Sequence, residues 1–499
     1  MDHRGQRTDG SQATPRPRIG GKKNSAALTP CIDDLLLQCR PAFKQRRTFE
    51  HGRTLMYSIL ASLGRHTLSG LICTSGQQFV DWSAAYRLFE NERFEPDLLF
   101  APVRRAVLKH IPEGFPVVAA IDDTLLHKKG KRIHGAAWRR DPLGAPFGVS
   151  FTWAQRHLQT ALLLPEHGWT GQARALPVDL VHAPTPKRPR RNASEEEWRR
   201  YRDAQQRTRL GEVARQRIHH LRSTLDADPG GQRRTLLLVG DGGYTNRSVY
   251  RDIPQNTVLI GRLRKDAKLY AVPDAAQGVG RRRLYGDRLL TPEMLRQEES
   301  IPWKKVKAFA AGKMHLFRVK VLSPVRWKPA GGRNLTVIAV RPISYRPRKS
   351  ARLLYRDPAY LVCTEPHLSL QKILQAYVWR WDIEVAFHEE KSLLGLGEAQ
   401  VRTPSAVPLV PAMVAACYGI LHAAAAQAGV DVCGLPLPKW RREPAPRPST
   451  ARLVNQVRSE LWGKALGVHF DGFVNKIPQM RSHLNSLPSL SHAVLYASG

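Results

Sequence analysis

The chain has 499 residues, 42% of them hydrophobic, enough to bury the cores of about three domains at roughly 150 residues each. Its 78 Lys and Arg against 42 Asp and Glu leave a net charge of +36, which points to a polyanionic partner, nucleic acid ahead of an anionic membrane surface. The six cysteines form no CxxC pair and have no histidines at zinc spacing, which excludes a structural zinc or a disulfide framework and reads as reduced thiols in a cytoplasm. Residues 1–29 are polar and basic without an apolar signal segment, and read as a disordered tail. From 30 to 113 the pattern is helical: Trp82, Tyr86 and Phe89 recur at i, i+4 and i+7, and Leu98 to Ile111 forms an amphipathic run carrying Arg104, Arg105 and Lys109. This region is either a small DNA-binding domain or a helical cap on the main domain.

The period then changes. Pro116 to Ile121 is a continuous apolar run, as in a strand buried on both faces, and it ends in Asp122, Asp123 and Thr124. Further strands are expected over Phe147–Trp153 and Leu158–Leu164, and Ser194 with Glu197 forms a capping-box pattern at the head of a long charged helix reaching about Leu225. Thr235 to Gly240 is a second buried strand, closed by Asp241-Gly-Gly-Tyr244, whose glycines permit a tight turn that leaves the carboxylate at the strand end. Thr245 or Asn246 can cap the helix that follows, and Val258 to Arg262 is one more strand. Residues 114–262 thus form the first part of an α/β core, and 263–358 read as a β-rich insertion of short strands in basic loops. The core resumes over 359–435 with a strand at Ala359–Thr364, a helix from Tyr377 to Lys391, and an apolar helix within Ala406–Gly429. The two prolines, histidine and high alanine content of that last helix mark it as buried rather than membrane-spanning. Residues 436–499 are a Pro-rich linker and a short helical tail.

Between Tyr377 and Lys391 there is no Pro or Gly, and Tyr377, Arg380, Glu384 and Lys391 lie at offsets of 0, 3, 7 and 14 residues. At about 100° per residue these four fall within roughly 60° of one another, so one stripe carries a carboxylate flanked by two cations and a phenol. A core-facing stripe would be apolar; this one suits a polyanion backbone held beside a metal-binding carboxylate. Asp123 and Asp241 each follow a buried strand, and strands interleaved with helices make a largely parallel sheet whose strand ends collect ligands. Carboxylates converging there repel one another unless a cation neutralises them, and oxygen-only ligation favours Mg²⁺ or Mn²⁺. Neighbours on a strand point to opposite faces, so only one of Asp122 and Asp123 reaches such a site easily.

Taken together, these motifs resemble the bacterial insertion-sequence DDE transposases that carry a Tyr-x2-Arg-x3-Glu-x6-Lys signature, here Tyr377, Arg380, Glu384 and Lys391. Ile121–Thr124 with His127–Gly130 is similar to that family's first motif, and Asp241–Tyr244 to its second; the likeness covers about 110–405. It implies an α/β, ribonuclease H-like catalytic core with a β-rich insertion, plus helical N-terminal and C-terminal regions. It further implies two Mg²⁺ or Mn²⁺ ions held by Asp123, Asp241 and Glu384, the motif register favouring Asp123 over Asp122. Tyr377, Arg380 and Lys391 would bind DNA phosphates, while His127 and the adjacent lysines would contact DNA. Glu389 and Glu390, off the stripe, are expected to be solvated or ion-paired. The implied activity is cleavage of element ends and strand transfer of the cut-and-paste type. Its partners would be the terminal inverted repeats and target DNA, bound by a homodimer in the bacterial cytoplasm at the nucleoid, with no membrane. Members of this family often pass through a DNA hairpin with an unstacked base held by an aromatic, for which Trp303 and Trp327 are the candidates. The alternatives are a ribonuclease H-like nuclease without joining activity and an inactive, transposase-derived DNA-binding regulator.

Overall fold

The computed structural model describes residues 27–141, 144, 148–273, 283–346, 351–429 and 447–466. The basic tail up to residue 26, Phe147, Cys433 and most of the expected linker and C-terminal region lie outside the described residues.

Eleven strands form one mixed sheet. Its centre is built from β1 (Val117–His127), β3 (Phe151–Pro165), β4 (Ala173–His182), β5 (Leu236–Gly240) and β6 (Thr257–Arg262), in the order β4-β3-β1-β5-β6. β3 runs antiparallel to β1 and to β4, whereas β5 and β6 run parallel to β1. The expectation of a largely parallel sheet therefore holds only for β1, β5 and β6. The two strands expected around Phe147–Leu164 are one continuous strand, and β4 had no clear sequence signal because Pro177 interrupts its alternation. A short β2 (Ala137–Arg140) pairs with the outer end of β3.

The insertion continues this sheet. β13 (Ala359–Cys363) pairs with β6, and β10 (Leu335–Val340), β9 (Lys313–Trp327), β8 (Lys304–Ala310) and β7 (Leu269–Tyr270) extend outward from it. β11 (Ser344–Tyr345) and β12 (Leu354–Tyr355) form a separate two-stranded ribbon.

The N-terminal helices are α1 (Leu28–Gln38), α2 (Arg46–Ala61), α3 (Leu68–Thr74), α4 (Trp82–Glu90), α5 (Pro96–Leu99) and α6 (Ala101–His110). Between strands come α7 (Glu195–Arg207), α8 (Leu210–Ala227), α9 (Arg247–Arg251) and α10 (Pro292–Gln297), and the chain closes with α11 (Leu370–Trp379), α12 (Trp381–Leu393), α13 (Ala406–Gln427) and α14 (Thr450–Leu466). The capping box forms at α7, where Glu197 N–H donates to Ser194 Oγ (3.2 Å) and Ser194 N–H donates to Glu197 Oε2 (2.8 Å). α12 and α13 cover one face of the central sheet. α8 covers the other, where Arg217 Nε donates to Asp179 Oδ2 (2.6 Å) of β4.

α13 is long and apolar enough to cross a membrane, but it is packed inside the molecule against β4, α1, α2 and α6. The N-terminal helices share one continuous apolar core with it and with the sheet, so the region is built as a cap. α14 completes that cap: the Glu460 carboxylate accepts from the backbone N–H of Leu28 (2.8 Å) and Thr29 (2.7 Å), satisfying orphan donors at the start of α1.

Candidate active site

Strand pairing decides which aspartate faces the helix. In the β1–β3 register Asp122 lies opposite Gln159 and Asp123 opposite Leu158, and cross-strand partners share a face. Gln159 Nε2 donates to Glu390 Oε1 of α12 (3.1 Å), which places the Asp122 side chain on the helix-covered face. There Arg380 bridges two carboxylates, Nη1 donating to Asp122 Oδ2 (3.1 Å) and Nη2 to Glu384 Oε1 (2.8 Å). β5 brings in the third: it runs beside β1 with Ile121 paired to Gly240, so Asp241 follows alongside Asp122. Its carboxylate accepts from Gly243 N–H (2.7 Å), held by the tight turn that the two glycines allow. Burial pushes the Asp122 carboxyl up to about 7; Arg380 opposes this, and the charge of Asp241 adds to it.

Asp123 turns to the other face, where its Oδ1 accepts from the Tyr244 hydroxyl (2.7 Å). Tyr244 can close over that face because residue 240 is glycine: a Cβ there would lie 3.2 Å from Tyr244 Cβ and 3.4 Å from Ile121 Cγ2. Motif register favoured Asp123 as the partner of Glu384, whereas the pleat brings Asp122 to Arg380 and Glu384.

The stretch from Tyr377 to Lys391 is two helices meeting at Arg380, rather than one. Arg380 keeps helical dihedrals, and its N–H is shared between the carbonyls of Ala376 (3.2 Å) and Tyr377 (3.3 Å). The break leaves the stripe largely intact. Tyr377 sits by Arg380 and within the field of Asp241; burial raises its phenol pKa, against the opposing pull of Arg380. Lys391 stands about two turns beyond Glu384, partly buried, where desolvation lowers its ammonium pKa and Glu390 opposes that shift.

Several other expectations change. Glu390 is fully buried against the sheet, and burial pushes its carboxyl up to about 8. Glu389 accepts from the Tyr418 hydroxyl (2.6 Å) and from Thr450 Oγ1 (2.7 Å) at the start of α14. Glu390 is shut off from solvent by the sheet, and Glu389 is half-buried between α12, α13 and α14. Lys128 is buried rather than presented to DNA. Trp327 is nearly buried with Tyr250 edge-on at 5.6 Å, which rules it out as a holder of an extruded base. Trp303 lines an open cleft of about 720 Å³ in the insertion, with Lys320 4.8 Å from its ring centroid. Asn246 caps α9 as anticipated, accepting from Val249 N–H at 3.2 Å.

Among the described residues, no three His, Cys, Asp or Glu side chains already stand as an ion-chelating group. Arg380 lies between two of the three carboxylates and supplies the neutralising charge itself. The donors are oxygen-only and mutually repulsive, chemistry that fits a hard divalent cation.

A central sheet with antiparallel β4–β3–β1 pairing and parallel β1–β5–β6 pairing, an aspartate within β1 beside one that follows the end of β5, and a glutamate on a helix crossing above defines a ribonuclease H-like nuclease fold. The sequence matches the DDE superfamily endonuclease family over residues 36–331, more than half of the chain, and the protein belongs to that family. The match takes in both aspartate motifs and stops before α11 and α12. Membership implies a nuclease- or transposase-type enzyme acting on DNA, a class that generally uses divalent metal ions. No curated protein matches the chain.

Proposed function

We propose that the protein is a transposase of the bacterial insertion-sequence type that cuts the ends of its element and joins them to target DNA. The observation that carries this reading is the Arg380 bridge between Asp122 and Glu384 beside Asp241: a compact acidic site with a guanidinium at its centre. Asp241 and Glu384 are assigned as ligands for two Mg²⁺ or Mn²⁺ ions. For the first carboxylate, motif register supports Asp123 and side-chain direction supports Asp122, and we assign Asp122. Such ions, when bound, activate the attacking oxygen and stabilise the leaving one.

In the first step the oxygen of water attacks the phosphorus at the element end. The P–O3′ bond breaks, leaving a 3′-hydroxyl and a 5′-phosphate. In the second, that 3′-hydroxyl attacks a phosphorus of the target, forming a new P–O bond and releasing the target's own 3′-hydroxyl. Arg380, displaced from its carboxylates, offers a planar fork to a non-bridging phosphate oxygen pair, and Lys391 adds a point charge about two turns further along the helix than Glu384. Tyr377 donates its hydroxyl to a phosphate oxygen. Two ends must be brought together, so the working form is a homodimer on DNA, at the nucleoid in the cytoplasm.

The test is purified protein with Mg²⁺ and labelled DNA carrying the sequences that flank the gene. Joined products that vanish with Glu384→Gln and Asp241→Asn support transposition. Cleavage without joining identifies a nuclease, and binding without cleavage a regulator.

A further inference from the structure

Lys128 lies one residue past β1 and is only 6% exposed, in a motif whose lysines would ordinarily be read as DNA contacts. Its Nζ donates to two backbone carbonyls, Gly397 O (2.9 Å) and Ala399 O (2.8 Å), both in the turn that follows α12. That turn is fixed to the helix, because Glu390 O accepts from Leu394 N–H (3.3 Å) and from Leu396 N–H (2.9 Å). Gly397 has φ +98°, a conformation that side-chain-bearing residues rarely adopt, and a Cβ there would lie 3.3 Å from Leu126 of β1. Two further links run beside the lysine: Lys129 N–H donates to the side-chain Oε1 of Gln400 (3.2 Å), and His134 N–H to the backbone carbonyl of Arg402 (3.3 Å). The path from ammonium to turn to Glu390 to Glu384 thus crosses only short, hydrogen-bonded steps. The last of them spans six residues of helix, about 9 Å.

We propose that Lys128 is a positioning residue whose buried ammonium ties the strand carrying the aspartate pair to the turn behind the helix carrying Glu384, and so fixes the spacing of the carboxylates. A compact ammonium suits the task better than a guanidinium. The enclosed cavity it lines is about 20 Å³, room for one water and too small for a larger head group. Burial excludes the phosphate contact that the sequence suggests, and burial alone accounts for the lowering of its pKa to about 8. The inference rests on the assignment of these carboxylates as metal ligands.

The experiment compares full-length wild type with Lys128→Met and Lys128→Arg. The positioning role predicts that both variants weaken Mn²⁺ binding, read by electron paramagnetic resonance without DNA, by about tenfold or more, in the range found when partners behind a ligand are removed. It also predicts faster amide exchange at Leu394 and Leu396, with DNA affinity and its salt dependence unchanged. A phosphate contact predicts the reverse: Lys128→Met loses DNA affinity and salt slope, Lys128→Arg keeps both, and Mn²⁺ affinity does not move. That pattern, or wild-type Mn²⁺ binding and exchange in both variants, overturns the proposal. Should Lys128→Met fail to fold, Lys128→Arg alone still separates the two roles, because a charge-preserving change should disturb only a fitted position. If wild type binds Mn²⁺ yet cuts no DNA, the transposase reading fails while the Mn²⁺ and exchange comparison still decides the role of Lys128.

Discussion

Replacing Asp122 and Asp123 one at a time by asparagine separates two side chains that are adjacent in sequence and opposed in space. Asp122 is held by Arg380 at 3.1 Å and lies in the field of Asp241, whereas Asp123 accepts one hydrogen bond of 2.7 Å from Tyr244. Asp122→Asn removes a charged ligand from the reacting centre, for which a loss of at least about 10³ in cleavage rate is expected, or roughly 4 kcal/mol at 1.36 kcal/mol per decade. Asp123→Asn keeps an oxygen that can accept from Tyr244, so activity should stay within about tenfold of wild type. Asp123→Ala orphans that nearly buried hydroxyl and should cost about 1–3 kcal/mol of stability with a comparably modest effect on rate. Single-turnover cleavage of a labelled DNA end in Mg²⁺, with thermal unfolding run alongside, measures both quantities. A dead Asp123→Asn together with an active Asp122→Asn would refute the reasoning from strand register.

Arg380→Met should destabilise the metal-free protein by about 3 kcal/mol, since two partly buried carboxylates lose their shared cation, and Mn²⁺ should recover most of the loss. An equal deficit with and without Mn²⁺, measured by denaturant titration, would show that Arg380 does not stand in for an ion. Glu390 titrates near 8 in the fold, well above an unfolded glutamate, so the folded state binds the extra proton. The stability this contributes is fully present below the unfolded pKa, near 4.3, and is lost as pH rises through about 8. Glu390→Gln should therefore match wild type more closely at pH 6 than at pH 9, where melting curves should show the variant ahead; no pH dependence in the difference would contradict the burial argument. Lys391→Ala should weaken DNA binding and reduce the salt slope by about 1, which binding isotherms at several salt concentrations would detect.

Much of the fold was legible in the sequence because its central strands are long apolar runs: Val117–Ile121 and Leu236–Gly240 carry their burial openly. β4 was not, since Pro177 breaks the pattern within it, and the antiparallel pairing of β3 depends on tertiary register that composition does not encode. At the site, spacing brought Tyr377, Arg380 and Glu384 onto one stripe, and Asp241 was marked by its glycine turn. The choice between Asp122 and Asp123 was beyond it, because the facing residue Gln159 and its bond to Glu390 lie on other elements. A clue was present in the pair itself: alternation permits only one of two adjacent strand residues to face the helix. Lys128 and Glu390 were misread for a common reason. Both are charged residues in polar-looking stretches, and only the packing of the turn at Gly397 and of the sheet against α12 shows that they are buried.

The central claim is that Asp122, Asp241 and Glu384 together hold divalent metal. Iron-directed protein cleavage tests it directly: Fe²⁺ bound in place of Mg²⁺, with ascorbate and peroxide, generates hydroxyl radicals that cut the backbone beside the ion. The account predicts cuts clustered near residues 122, 241 and 384, suppressed by excess Mg²⁺ and absent in Asp122→Asn. Cuts elsewhere in the chain, or an unchanged pattern in that variant, would contradict it.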